Sequence, residues 1–203
     1  MVLAVLGANA LASPIERETL ARERPDAAKP ATRATPTKKS DAPESAAPPP
    51  LLATLAQTHT DERVMLDREG PNLTRFEALL ADRTTGSSRP LDARLLDLLR
   101  ALSMHYGAPA SPPRIELVSG YRSPKLNEIL RKKGHHVASH SQHSQGHAVD
   151  FRILPAGATK ALDPRVVEKE IRALGWDGGV GTYPTSADWF VHADVGPNRR
   201  WVN

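Results

Sequence analysis

The sequence contains no cysteine, so it has no disulfides and no thiolate ligands, and its redox compartment stays undecided. Aromatics are scarce, at three each of Phe, Tyr and Trp, and none is interleaved with a basic stripe. The net charge of +4 is therefore read as a solvated surface rather than a nucleic-acid footprint. No apolar run approaches the roughly 18 residues needed for a membrane-spanning helix. The opening stretch "MVLAVLGANALASP" is short and apolar and ends in Ala10-Leu11-Ala12, like an export signal with a small-residue cleavage site. It lacks the usual basic start, since no Lys or Arg precedes Arg17. Residues 1–12 are accordingly read as an atypical or truncated signal peptide.

Proline is abundant, and unevenly so: eight of the 18 prolines fall in the first fifty residues. There they accompany Ala, Ser, Thr and charge in "AAKPATRATPTKKSDAPESAAPPP". Such a segment has too little apolar surface to offset chain entropy, so 13–60 is expected to be a disordered linker. The chemistry is assigned to a single domain, 61–203. A chain of 203 residues has room for one good core there.

Helical spacing of Leu95, Leu98, Leu99 and Leu102 predicts a helix stopped near Gly107. "RIELVSG" reads as a strand from Arg114 to Val118. Ser123 and Pro124 punctuate the start of a helix carrying Leu126, Ile129 and Leu130, with Gly134 at its end. Asp163 and Pro164 open another, with Val167, Ile171 and Leu174 on one face and Gly175 behind.

Between those two helices lies "SQHSQGHAVD", with His143 and His147 four residues apart. Helical zinc peptidases share that spacing, but here no glutamate follows the first histidine, and Gly146 with its polar neighbours disfavours a helix. From Ala148 the pattern alternates: Val149, Phe151 and Ile153 on one face, Asp150 and Arg152 on the other. The segment is a loop feeding a strand. In "DWFVHADVG" the same alternation puts Asp188, Phe190, His192 and Asp194 on one face. Two such strands in a small antiparallel sheet, with helices packed on one side, would present Asp150 and His192 together on the open face. The expected fold class is α+β.

A catalytic zinc takes three protein ligands and keeps one position for water. His143, Asp150 and His192 form such a set, although solvent-facing polar residues would give the same pattern. His135, His136 and His140 sit in a polar loop and are read as exposed. His147 competes as a ligand, but by parity it shares the side of Val149 and faces away from Asp150.

Several motifs in order, "SGYRS", S-x-H-x-x-G-x-A-x-D and "FVHADVG", resemble the LAS-type zinc peptidases of bacterial cell walls, which include the D-Ala-D-Ala carboxypeptidases. "DRTTGSSRPLDARLLDLL", "GGVGTYP" and "RRW" place the resemblance nearest the murein endopeptidase K branch, over about residues 70–203. The resemblance implies one zinc ion on His143, Asp150 and His192, with Arg122 and Ser141 lining the substrate cleft. It implies a periplasmic or envelope enzyme, a monomer without a membrane span, that cuts peptidoglycan stem or cross-link amides through a zinc-activated water. Arg122 would stabilise charge on the carbonyl or hold a substrate carboxylate, or else serve as a structural ion pair. Ser141 would touch substrate or brace its turn.

Two features depart from the family pattern. His147 stands where related chains more often carry a nonpolar or other residue. The glutamate that some relatives place three residues before the last histidine, as general base, is here Trp189. Asp194 is the favoured substitute, with orientation of a histidine ligand as its other reading. A non-catalytic wall- or metal-binding module on the same fold is the alternative function. Sequence leaves D,D- and L,D-bonds undistinguished.

Overall fold

The computed structural model describes residues 50–108, 110–133 and 141–203. These fall in one compact unit, 46–203. The expected signal peptide, residues 13–49 of the expected linker, and His135, His136 and His140 lie outside the described residues.

In chain order the elements are β1 (Ala53–Gln57), β2 (Arg63–Leu66), α1 (Leu73–Leu79), α2 (Ala93–Tyr106), β3 (Arg114–Ser119) and α3 (Pro124–Lys132). They continue with β4 (Ala148–Leu154), α4 (Pro164–Ala173), β5 (Gly179–Pro184), β6 (Trp189–Asp194) and β7 (Arg200–Val202). A short 3-10 turn, Gln142–Gln145, precedes β4. The helices begin where the sequence punctuates them. Ser123 accepts the Leu126 N–H at 3.2 Å, and Asp163 accepts that of Arg165 at 2.8 Å. Each satisfies one of the donors left orphaned in a first turn. Gly107 caps the end of α2.

The sheet is larger than the small antiparallel one expected. It has seven strands in the order β2-β1-β3-β4-β6-β5-β7. Two contacts, β1 with β3 and β5 with β7, are parallel. The extra strands escape sequence reading for physical reasons. β1 follows a proline run, lies inside the stretch read as linker and pairs with a strand about sixty residues away. β7 is three residues long.

Val149, Phe151 and Ile153 pack into one core with Phe76 and Leu79 of α1, the leucines of α2, and Val167 and Ile171 of α4. Full burial of each such side chain is worth about 1.5–3 kcal/mol. Helix α3 is the exception to a one-sided arrangement. It supplies nothing to that core cluster, and its Leu126 and Leu130 line a cleft on the other face. Among the described residues no helix is long and apolar enough to cross a membrane.

Candidate metal centre

The site begins with register. β4 and β6 are antiparallel neighbours with Asp150 directly opposite His192. Their side chains therefore emerge side by side on the face opposite the core. The third member comes from the 3-10 turn. Gly146 ends that turn in the left-handed region, at φ 78°. A Cβ there would lie 2.2 Å from the Pro90 carbonyl oxygen, so glycine alone fits. With the turn seated, His143 points towards Asp150 and His192 and is 2% exposed.

The ring nitrogens converge. His143 Nε2 lies 3.1 Å from Asp150 Oδ1 and 3.1 Å from His192 Nδ1, and the last two atoms are 2.8 Å apart. Tetrahedral zinc with bonds near 2.0–2.1 Å separates its ligand atoms by about 3.3 Å. The hydrogen bonds on the far side of each ring decide the donor chemistry. His143 Nδ1 donates to the Gly120 carbonyl at 2.7 Å, and His192 Nε2 donates to Asp194 Oδ2 at 3.0 Å. In the neutral tautomers both inward nitrogens then offer lone pairs, facing each other and a carboxylate oxygen. Three acceptors aimed at one point need a cation or a proton between them, and a zinc ion satisfies all three at once. The residues present fit the metal.

Electrostatics agree. Burial, reinforced by the Arg122 guanidinium, pushes His143 down to about 4. Burial also pulls on His192, but hydrogen bonds to Asp150 and Asp194 outweigh it and raise its pKa above the usual 6.5. Asp150 sits well below the ordinary carboxylate range, because His143 and Arg122 overcome the effect of burial. A proton on His192 Nδ1 is thus the competitor that a metal must displace. Apparent zinc affinity is expected to be level above the raised His192 pKa and to fall about tenfold per pH unit below it. Competition with a chelating dye across pH measures this. His143 should not interfere until far lower pH.

Around the centre opens a cleft of about 370 Å³, lined in part by Arg83, Ser119, Arg122, Ser141, Tyr183, Phe190, Arg199 and Trp201. The structure places both expected cleft residues here. Ser141 is buried, and its side chain makes no capping bond to the turn. Arg122 donates from Nε to Ser119 Oγ at 2.9 Å and pairs through Nη2 with Asp150 Oδ2. It occupies one oxygen of the carboxylate and leaves Oδ1 for the centre. His147 is half-buried, is absent from the cleft wall and bonds through its backbone to Gln142 and Val195.

Asp194 is fully buried behind His192. Its Oδ2 also accepts Arg199 Nη2 at 2.8 Å, and its Oδ1 accepts the Gly196 N–H at 2.8 Å. Burial alone would raise its pKa, but His192 and Arg199 hold it far below the usual range. Both oxygens are engaged away from the converging nitrogens, a geometry suited to orienting His192 and not to taking a proton from water. Trp189 donates its indole N–H to the Leu162 carbonyl at 3.1 Å, outside the cleft. Asp188 lines the cleft but stands four residues, about 13 Å along the strand, from His192.

Sequence reasoning missed Asp82, Tyr183, Arg199 and Trp201. Asp82 is a buried hub. Its Oδ2 accepts the Ser123 N–H at 2.6 Å, and its Oδ1 accepts those of Thr84 and Thr85 at 2.7 and 2.8 Å. This fixes the loop that carries Arg122 and the Gly120 carbonyl. Trp201 packs over Gly181, where a Cβ would meet its ring at 2.3 Å, and lies 5.2 Å from the His192 ring. A glycine inside a strand was the available signal for that close approach.

A buried His–Asp–His donor set under an open cleft defines the chain as a candidate metallohydrolase. Residues 52–201 match the model of the family described as Peptidoglycan L,D-endopeptidase MepK, and the chain belongs to that family of zinc-dependent peptidases. It is 33% identical over 160 residues to Peptidoglycan L,D-endopeptidase MepK of Escherichia coli K12, covering 76% of this chain and 81% of the relative. It is 32% identical over 160 residues to the Haemophilus influenzae protein named "Probable peptidoglycan L,D-endopeptidase MepK", covering 76% and 80%. No solved structure matches the chain at a significant level.

Proposed function

We propose that this chain is a zinc-dependent murein endopeptidase that hydrolyses L,D amide bonds in peptidoglycan cross-links, with one zinc ion held by His143, Asp150 and His192. The convergence of two histidine lone pairs and one carboxylate oxygen on a single point carries this reading. The names of its relatives supply the bond type. When bound, zinc polarises the scissile carbonyl and makes a water nucleophilic near neutral pH.

The protein's own residues do the rest. Gly120 and Asp194 fix the two imidazoles in the tautomers that present lone pairs inward. Arg122 holds Asp150 by one oxygen. Arg83 lines the cleft beside Arg122 and Arg199, which are paired with Asp150 and Asp194, and its guanidinium suits stem peptides bearing free carboxylates. Leu126 and Leu130 on one side, with Phe190 and Trp201, give it apolar walls that limit water around the reacting amide. Asp194 serves as the orienting partner of His192 in place of the base expected there. The substrate places the enzyme in the cell envelope.

The test is purified sacculi incubated with zinc-loaded protein, with and without chelator, and products separated by mass. Soluble muropeptides with new ends at an L,D bond, lost with chelator and restored by zinc, are expected. Binding to sacculi without product would instead indicate a non-catalytic wall-binding module.

A further inference from the structure

As an amide is attacked, negative charge develops on its carbonyl oxygen, and a fixed donor aimed at that oxygen accelerates the reaction. Arg122 was the sequence candidate, but its Nε and Nη2 are committed to Ser119 and Asp150. Another donor stands in the same cleft.

Tyr183 lies on β5, two residues beyond Gly181, and Gly181 is paired with His192 across the β5–β6 ladder. By strand parity Tyr183 shares the face of Gly181, and its side chain lines the cleft together with His143, Asp150 and His192. Its ring is pinned by stacking on Phe190, its direct cross-strand neighbour, at 4.4 Å and an interplanar angle of 17°. Its hydroxyl oxygen accepts the Trp201 Nε1–H at 3.3 Å. A phenol oxygen that accepts one bond still has its own proton to donate, and a pinned ring gives that proton little freedom in where it points. Burial raises the phenol pKa, so the group stays protonated around neutral pH.

We propose that Tyr183 is a catalytic residue whose hydroxyl donates a hydrogen bond to the scissile carbonyl oxygen as charge builds on it. This rests on the endopeptidase reading above. No proton leaves the phenol, so the step needs no other reactant.

The experiment uses the zinc-loaded protein and a soluble cross-linked muropeptide. Tyr183→Phe is expected to lower kcat about 10²–10³-fold, the cost of removing one such donor elsewhere. KM should stay within about threefold and the bound zinc should not change, because the phenol makes its bond mainly in the transition state. A phosphinate analogue of the cut amide should lose affinity by the same factor as kcat. In a second arm, a fluorinated tyrosine at 183, with a more acidic phenol, should move the alkaline limb of the kcat profile to lower pH.

The proposal is overturned if Tyr183→Phe keeps kcat within about threefold. It is also overturned if the lost activity follows lost zinc, or if fluorination leaves the alkaline limb in place. Wild-type protein that releases no muropeptide would take down the endopeptidase reading itself. Active wild type beside an equally active Tyr183→Phe would remove only this inference.

Discussion

His143→Ala is expected to abolish muropeptide release from sacculi, lowering it by at least about 10³-fold, since two ligands do not hold a catalytic zinc in an open site. The loss should be accompanied by loss of bound zinc, measured on dialysed protein by elemental analysis. The fold should survive. His143 stands on a short turn outside the core cluster, and the register of β4 with β6 does not depend on it. Asp194→Asn provides the contrast. All three ligands remain, but the carboxylate that fixes the His192 tautomer becomes an amide, which can present its N–H₂ to Nε2 and favour the wrong tautomer. Zinc affinity is expected to fall about 10–100-fold, with activity recovered at high zinc. If Asp194 were instead the proton acceptor for water, excess zinc would restore binding without restoring turnover. The two variants therefore separate a ligand from the group that aims a ligand.

Gly146→Ala should be strongly destabilising for a single added methyl. The backbone there is left-handed at φ 78°, and the new Cβ would sit 2.2 Å from the Pro90 carbonyl oxygen. That oxygen belongs to the main chain and cannot rotate aside as a side chain would. Strain from the conformation and from overpacking together is on the order of 3 kcal/mol. For a domain of this size that corresponds to roughly 6–12 °C in Tm, read by thermal unfolding of the metal-free protein. The chemistry should suffer too. The Gly146 N–H bonds to the His143 carbonyl and the Gly146 carbonyl accepts from Asp92, so a shift at 146 carries the His143 ring away from Asp150. A variant with unchanged Tm and full zinc would show that the turn has slack that these contacts do not suggest.

Much of the site was legible because strand periodicity is rigid. Alternation from Ala148 to Ile153 and from Asp188 to Asp194 predicted which residues share the face away from the core, and the register of β4 with β6 then sets Asp150 opposite His192. Periodicity does not encode which of the two roles expected of Asp194, base or orienting partner, its carboxylate is turned towards. Parity puts it on the right face, but Gly179 leaves room beside it and Arg199 reaches it from five residues on, so its oxygens turn away from the centre. Long, flexible arginines carry no period, and neither does a buried hub such as Asp82, whose three backbone partners lie two, three and forty-one residues away. The sheet was underestimated for a similar reason. β1 joins β3 in parallel, and a parallel partner must be reached by a long crossover, here through α1 and α2.

The three proposed ligands are not held alike. Asp150 and His192 are locked to each other by the hydrogen bonds of the sheet, whereas His143 is carried by a turn that rests on Pro90, Gly120 and the loop braced by Asp82. The candidate centre is thus a seam between sheet and turn, and an ion bound there would act as a clasp across it. Because His143 lies outside the hydrophobic core cluster, such a clasp would join two segments that the core itself does not tie together at that point.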